Sequence, residues 1–245
     1  MTDRTFEIGG AALEAAEERV RKLMDNMVGS EVPGYKKSEV VIRGFQLELD
    51  DAEKRLGLTK PQVEGSHLNT APGALLRTNN KLDLALADDG YFVVAGPWGE
   101  GYTRDGRFRL DKDGRLLTVA GGWPVLGQNG PIIVAQGNEI EFTNKGELKI
   151  DKEIVDRLRV IRPDSQDQLE NLNGSIFRKK DQTIAPSEIE EPRLLQGFVE
   201  TSNVNIIEQM MEMIEDQRYL NINTKIITNR DQNLARAMDL GKATQ

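Results

Sequence analysis

The sequence predicts an α+β protein: amphipathic helices at both chain ends form a helical-bundle core domain, and the middle forms an antiparallel all-β domain. Residues 205–240 contain no glycine or proline and repeat apolar residues at helical spacing. Residues 3–28 share this pattern, whereas the apolar spacing changes to two from Leu82 onward. The predicted segments are an N-terminal assembly helix (1–32), a connecting extended or irregular segment (33–79), the β domain (80–192), and an extended lead-in with a long C-terminal assembly helix (193–245).

The N-terminal helix is predicted over residues 3–28. Its apolar residues stand three or four positions apart, and charged side chains occupy the other faces. Gly29 is suited to end the helix, since glycine adopts the left-handed conformation found at helix C-termini. The stripe contains several small side chains, so a second helix can approach closely. Its members are Ala12, Ala16, Val20, Leu23 and Met27.

The connecting segment begins with a predicted turn at Pro33-Gly34, because this dipeptide strongly favours one. Residues 38–49 alternate weakly between apolar and polar side chains, and we predict that they are extended. Residues 50–75 mix proline, glycine and polar residues. We expect them to be irregular, apart from a helical turn near residues 51–56.

The β domain is predicted from short alternating runs that are separated by turn residues. Leucines alternate from Leu82 to Leu86, and Asp88-Asp89-Gly90 is predicted to turn this strand into a hairpin with Tyr91–Val94. Residues 154–162 are predicted as one strand and 163–192 as a loop-rich tail. Strands at this spacing indicate an antiparallel domain. The turn dipeptides between them are Asp105-Gly106, Asp113-Gly114, Asn129-Gly130 and Lys145-Gly146.

The C-terminal helix is predicted to be an assembly element. Asn205 can cap its first turn, with Glu208 completing a capping box. At ~1.5 Å per residue the helix is on the order of 50 Å long, more than a compact small domain needs. Its middle is poor in helix formers, so neighbours must supply much of its stability. The predicted subunit-interface residues are Ala12, Ala16, Val20, Leu23, Met27, Val204, Ile207, Met211, Ile214, Ile222, Ile226, Leu234 and Met238.

Composition excludes several function classes. The formal net charge is −8, so no clustered positive surface for nucleic acid is expected. There are no cysteines, which excludes disulfides and thiolate metal sites, and no apolar run reaches the ~20 residues of a membrane span. His67 is expected at the surface, and Asp111–Gly114 is expected to be a hairpin turn rather than a calcium loop. We predict no enzyme activity, no cofactor, no metal and no membrane insertion.

Four stretches lie in a characteristic order along nearly the whole chain. They are residues 33–36 (PGYK), 78–86 (TNNKLDLAL), 101–106 (GYTRDG) and 195–205 (LQGFVETSNVN). In combination they resemble the flagellar basal-body rod and hook family of bacteria. The short connection from Lys36 to Arg77 is similar to that of a proximal-rod subunit, whereas the 200–205 stretch fits a distal-rod subunit equally. The proximal type is favoured, and the distal type is the alternative.

The resemblance implies a structural subunit that polymerises helically into the drive shaft of the flagellum. Such a subunit transmits torque across the periplasm, with its terminal helices in the inner wall and its β domain in the outer wall. The implied partners are other copies of itself, other rod proteins, hook or ring proteins of the basal body, and the flagellar type III export apparatus. The implied location is the periplasmic rod, reached without a cleavable signal peptide.

Two interpretations from other classes stay open on the sequence. The first is a soluble β-domain enzyme or carbohydrate-binding module with a helical dimerisation tail, which would present a cleft with convergent polar groups. The second is a non-flagellar secreted β protein with coiled-coil ends. A self-contained dimer would favour the first, and absence from basal bodies would favour the second.

Overall fold

The computed structural model describes residues 2–46, 59–134, 140–163, 169–180 and 186–242. The chain divides into two compact units. Unit 1 contains residues 1–25, 38–67 and 206–245, and unit 2 contains residues 26–37 and 68–205. The predicted α+β class is confirmed, since helices occupy both ends and antiparallel strands the middle.

Two long helices and nineteen strands make up the described part of the chain. In chain order they are α1 (Thr2–Gly29), β1 (Ser38–Gln46), β2 (Thr59–Leu68), β3 (Leu75–Arg77), β4 (Leu84–Leu86), β5 (Tyr91–Gly96), β6 (Gly99–Thr103), β7 (Phe108–Leu110), β8 (Leu116–Thr118), β9 (Leu126–Gly127), β10 (Gly130–Pro131), β11 (Ile140–Phe142), β12 (Glu147–Ile150), β13 (Glu153–Arg157), β14 (Val160–Arg162), β15 (Leu169–Asn173), β16 (Ile176–Lys179), β17 (Ser187–Glu188), β18 (Leu194–Gln196), β19 (Phe198–Glu200) and α2 (Ile206–Lys242).

Unit 1 consists of most of α1, the β1–β2 pair and α2. The extended structure predicted for residues 38–49 is confirmed for residues 38–46. The expectation that 50–75 is irregular is wrong for residues 59–68, which form β2 and pair with β1. Pairing between strands overrides the turn preference of Pro61 and Gly65 here. The helical turn expected at 51–56 lies outside the described residues.

Unit 2 is built on a six-stranded antiparallel sheet with the order β15-β16-β6-β5-β14-β17. Central strand β5 is buried on both faces over its first four residues. One face contributes Phe92 and Val94 to the larger apolar cluster, which also holds residues of β4, β7 and β12. The opposite face contributes Tyr91 and Val93 to a second cluster with Phe177. Alternation along a strand therefore supplies two separate apolar clusters.

Three of the four predicted turn dipeptides lie between paired neighbours, and Asn129-Gly130 does so between β9 and β10. Asp113-Gly114 joins β7 to β8, and Lys145-Gly146 joins β11 to β12. Both glycines have positive φ, at 77° and 78°. Glycine reaches this region without steric penalty, which explains why these dipeptides predict the turns correctly.

Two other predicted hairpins are wrong. Residues 88–90 do not turn β4 back onto β5: β4 pairs with β18, and both edges of β5 are occupied by β6 and β14. Asp105-Gly106 does not join a hairpin either, because β6 pairs with β16 and β7 with β8. The side chain of Asp105 instead accepts hydrogen bonds from the backbone and guanidinium of Arg107. In both segments the flanking strands pair with strands that are distant in the sequence, instead of pairing with each other across the turn.

The predictions for residues 154–162 and 163–192 are also corrected. The first range is divided between β13, in a three-stranded sheet with β11 and β12, and β14, in the six-stranded sheet. The second contains β15, β16 and β17, so it is a part of the main sheet rather than a loop-rich tail. Leu169 and Phe177 are buried there. Apolar residues in runs this short give a weak strand signal until a neighbouring sheet covers them.

Gly106→Ala is expected to destabilise unit 2 by at least about 3 kcal/mol. A Cβ on Gly106 would lie 1.6 Å from the carbonyl oxygen of Leu84, which is backbone and can move only with β4. The Leu84 amide donates to the Gly106 carbonyl at 2.9 Å, so this hydrogen bond would be strained too. Urea unfolding followed by tryptophan fluorescence measures the loss.

The matched control is Gly10→Ala. A Cβ on Gly10 meets no atom within 4 Å, and the residue is exposed in α1. Because alanine is the better helix former, this variant is expected to be neutral or to stabilise the protein by up to about 1 kcal/mol. Equal losses in the two variants would contradict the assignment of a backbone clash at Gly106.

Candidate assembly surface and buried ionic junction

The apolar stripe of α1 is covered within its own chain. Ala15, Ala16, Val20 and Leu23 are all buried. Charged residues on the opposite face, such as Glu17, are exposed, as an amphipathic helix requires. These four apolar residues of α1 are therefore covered before any second subunit binds.

One face of α2 consists of buried or half-buried residues, and we call it the seam: Gln209, Met213, Asp216, Leu220, Asn223 and Ile227. Two of these residues, Asp216 and Ile227, lie next to α1. Arg19 Nη2 lies 3.1 Å from Asp216 Oδ1. A Cβ placed on Gly9 would lie 3.5 Å from Ile227 Cδ1, an ordinary contact. Since the lower-numbered residue of α1 meets the higher-numbered residue of α2, the two helices run antiparallel. The seam spacing of four and three residues is that of a coiled coil, with polar side chains at several positions.

Three large apolar residues of α2 face away from the seam. Ile207, Met211 and Ile214 each stand two positions before a seam residue, which is about 200° around a helix. Their exposed fractions are 66%, 55% and 47%. We call these three residues, together with the exposed Ile222 and Ile226, the apolar stripe. This helix pairs through a partly polar face while most of its isoleucines stay in solvent, so it has an uncovered surface of the kind that marks an interaction site.

The thirteen predicted interface residues are therefore in different environments. Ala16, Val20 and Leu23 are buried inside unit 1, and Ala12, Met27 and Val204 are half-buried. The five residues of the apolar stripe are exposed. Leu234 and Met238 lie on α2, but their side chains are outside the described part of the structure. Whether any of the thirteen contacts another subunit stays a prediction.

A groove of about 440 Å³ lies beside the seam within unit 1. Its apolar lining comes from three alanines of α1 and from the β1–β2 pair; α2 contributes an acidic rim and one aromatic ring. Because alanine side chains are short, they leave room between the elements. The lining residues are Ala12, Ala15, Ala16, Arg19, Ile42, Pro61, Glu215, Asp216 and Tyr219.

Asp216→Asn is expected to change how unit 1 responds to acid. Burial raises the pKa of Asp216 above its ordinary 3.8, and the Arg19 charge opposes this only in part. The folded chain therefore binds this proton more tightly than the unfolded chain, so the Asp216 contribution increases stability as pH falls through the raised pKa. The variant lacks that contribution.

Circular dichroism melts of both proteins between neutral pH and pH ~4 test this, because the other carboxylates cancel in the difference. The melting temperature of the wild type should rise relative to that of the variant as the pH falls. If the melting temperature of the wild type instead falls relative to that of the variant, the Arg19 contact dominates and the pKa of Asp216 is not raised.

Unit 2 contains a buried ionic junction formed by Lys36, Arg104 and Glu200. Lys36 Nζ donates to Glu200 Oε1 at 2.5 Å, and Arg104 Nη1 donates to Glu200 Oε2 at 3.1 Å. All three side chains are at most 4% exposed. The two cations also donate to backbone carbonyls, Lys36 to Ala71 and Arg104 to Asp88. Glu200 therefore compensates two buried positive charges.

Further hydrogen bonds around this junction connect residues 34–37, 69–73 and 200–203. The Gly34 amide donates to the Glu200 carbonyl at 2.8 Å, and the Gly73 amide donates to Glu200 Oε1 at 2.9 Å. Asn203 Oδ1 accepts from the Lys37 amide, while its Nδ2 donates to the carbonyls of Asn69 and Ala71. These segments are parts of unit 2 that directly precede or follow residues of unit 1.

Sequence reasoning missed the junction. Burial lowers the pKa of Lys36, although Glu200 raises it in opposition. The only local signals were a glutamate at the end of an otherwise apolar strand, Phe198-Val199-Glu200, and a lysine directly after the Pro-Gly turn. Neither pattern indicates a partner 164 positions away in the sequence.

The part of the chain that the structure describes offers neither a metal site nor a membrane-spanning helix. Within those residues there is no group of three or more acidic or histidine side chains placed to hold a metal ion. No described helix is long and apolar enough to cross a membrane. His67 is exposed, as expected. The most conspicuous features of the described surface are therefore the apolar stripe and the groove.

Comparison with known families supplies the class. Residues 195–240 match the model of the flagellar basal body rod FlgEFG protein C-terminal region, which covers β19 and most of α2. Residues 85–135 match the model of the flagellar hook protein FlgE/F/G D1 domain. Together the two matches define a structural protein of the bacterial flagellum.

Whole-length relatives define the family. The chain is 30% identical over 240 residues to the flagellar basal-body rod protein FlgF of Rhizobium meliloti, covering 92% of each chain. It is 31% identical to FlgF of Escherichia coli K12, with 88% of this chain and 89% of the relative covered. It is 28% identical to the rod protein FlgG of Buchnera aphidicola from Acyrthosiphon pisum, with 95% and 98% covered.

This chain belongs to the flagellar basal-body rod protein family. It is a structural subunit of the basal-body rod and not an enzyme, so the interpretation as a β-domain enzyme is set aside. FlgF and FlgG relatives match to similar extents, so these matches identify the family and do not distinguish the position within the rod.

Proposed function

We propose that this protein polymerises helically with other rod subunits into the drive shaft that transmits torque across the periplasm. The observation that carries the proposal is the apolar stripe of α2, which is exposed while the opposite face contacts α1. Each isoleucine or methionine buried between subunits contributes about 1.5–3 kcal/mol. Several such residues on each copy are enough to stabilise an ordered assembly once neighbours are present.

In this proposal α1 and α2 of adjacent copies form a helical-bundle core, to which residues 1–32 and 193–245 contribute. Residues 33–79 connect that core to the β domain at 80–192. The antiparallel contact between Arg19 and Asp216 supports a bundle, because it already pairs two helices in one copy. Further helices from neighbouring copies would pack on the exposed stripe through knobs-into-holes contacts.

We assign the chain to the proximal part of the rod, with the distal part as the alternative. The extent of the match to FlgF relatives supports a rod subunit of this size, and the FlgG relatives keep the alternative open. The proposed partners are further copies and other rod proteins, with hook or ring proteins at the ends of the rod. Export through the flagellar type III apparatus belongs to the same proposal.

Isolated basal bodies and the purified full chain together test the proposal. The chain should be present in basal bodies and should crosslink there to rod proteins. In sedimentation experiments its association should continue to grow with concentration, and electron microscopy should show tubular or helical particles. A closed dimer that is indifferent to concentration, together with absence from basal bodies, would contradict the proposed function.

A further inference from the structure

The apolar stripe and the groove are different surfaces of unit 1 that share an edge on α2, since Met211 stands four residues before the groove residue Glu215. The stripe residue Ile214 directly precedes the groove residues Glu215 and Asp216, and successive residues of a helix differ in direction by about 100°. A contact that joins two different surfaces of identical subunits is heterologous, and it leaves one free copy of each surface at the ends of every complex. Such a contact builds an open helical array rather than a closed dimer.

The size and lining of the groove suit aliphatic side chains. Its volume of about 440 Å³ is about three times that of the ~150 Å³ apolar cavities that hold one benzene-sized group. Ala12, Ala15 and Ala16 present only methyl groups on the α1 side, and Ile42 and Pro61 lie on the strand side. Two or three long side chains on one face of a helix would fill this space.

The charges of the two surfaces are complementary. Glu215 and Asp216 place two carboxylates at the groove against the single guanidinium of Arg19. Asp216 Oδ2 is buried and has no hydrogen-bond partner among the residues that the structure describes. On the stripe, Arg218 follows Ile214 by one helical turn; it is exposed, and it forms no ion pair with any residue that the structure describes.

We infer that the apolar stripe of one copy docks into the groove of a second copy, with Arg218 facing the carboxylates of Glu215 and Asp216. This inference rests on the proposed function and specifies the contact that would build the rod. Met211 and Ile214 enter the apolar part of the groove. Arg218 supplies the positive charge that the acidic rim lacks, which sets the register of the two helices.

Crosslinking tests the inference directly, because the native chain has no cysteine. Full-length Met211→Cys and Ala12→Cys proteins are mixed at a concentration where the wild type associates, and a short bismaleimide is added. The control partner is Glu17→Cys, an exposed position on α1 that does not line the groove. The Met211→Cys and Ala12→Cys pair should give at least about tenfold more mixed dimer than the control pair, which corresponds to about 1.4 kcal/mol of preference.

Charge reversal provides a second readout. Arg218→Glu alone and Glu215→Arg alone should each weaken association by about tenfold, and the double variant should restore it. Both side chains are exposed, so folding should be unaffected. Association with equal crosslinking to Glu17→Cys, or with Met211→Cys crosslinking only to itself, overturns this docking and leaves the assembly proposal standing. Absence of any association at all overturns both.

Discussion

Glu200→Ala is expected to destabilise unit 2 by about 3–5 kcal/mol, the cost of leaving buried charges without their partner. The substitution removes the one carboxylate that faces both Lys36 and Arg104. It also removes the acceptor of the Gly73 amide. A midpoint shift of this size is measurable by urea unfolding, with the fluorescence of Trp98 and Trp123 as a probe inside unit 2.

Two variants control this prediction. Glu200→Gln keeps the shape and one acceptor but removes the charge, so it should lose less than the alanine variant while remaining clearly destabilised. Asp113→Ala removes the partner of Arg115 from an exposed ion pair and should change stability by less than about 1 kcal/mol. If Glu200→Ala and Asp113→Ala cost the same, the junction does not hold unit 2 together.

Ile214→Asp is expected to weaken subunit association by at least about a hundredfold. The substitution removes an apolar side chain from the centre of the apolar stripe and would place a carboxylate in the interface. Folding should not change, because Ile214 is 47% exposed and faces away from the seam in the single chain. Sedimentation measures the association, and circular dichroism with urea unfolding checks the fold.

Gln217→Asp is the matched control for that experiment. It introduces the same carboxylate one turn further along α2, at an exposed position outside the apolar stripe. Its association should stay within a few-fold of the wild type, since a charge at a solvated rim contributes little. Loss of association in both variants would indicate a general charge effect, and loss of fold in Ile214→Asp would place Ile214 in the interior of the protein.

Local patterns predicted the elements whose signal lies within a few turns of chain. The 3.6-residue spacing identified α1 and α2, and the glycines after Asp113 and Lys145 identified two hairpins. The misses at β4 and β14 have one cause. Each of these strands pairs with a strand that the nearest turn does not select, and a turn dipeptide carries no information about pairing at long range.

For the candidate assembly surface, the sequence predicted the apolar stripes but not which of them is covered within the chain. The spacing of Ile207, Met211 and Ile214 was sufficient to predict an apolar stripe on α2, and their exposure agrees with it. The stripe of α1 has equal sequence character, yet it is buried in unit 1. Apolar residues at helical spacing identify a helix face that must be buried, but they do not indicate whether the same chain or another chain buries it.

The sequence by itself determined two amphipathic ends, an antiparallel middle and membership of the rod family, because periodicity, turn residues and family motifs are local properties. Only the tertiary structure decided that α1 is covered within the chain while the apolar stripe of α2 is not, and that Glu200 neutralises Lys36 and Arg104. Both outcomes depend on contacts between residues more than ninety positions apart. Such contacts form only when the folded backbone brings distant segments together.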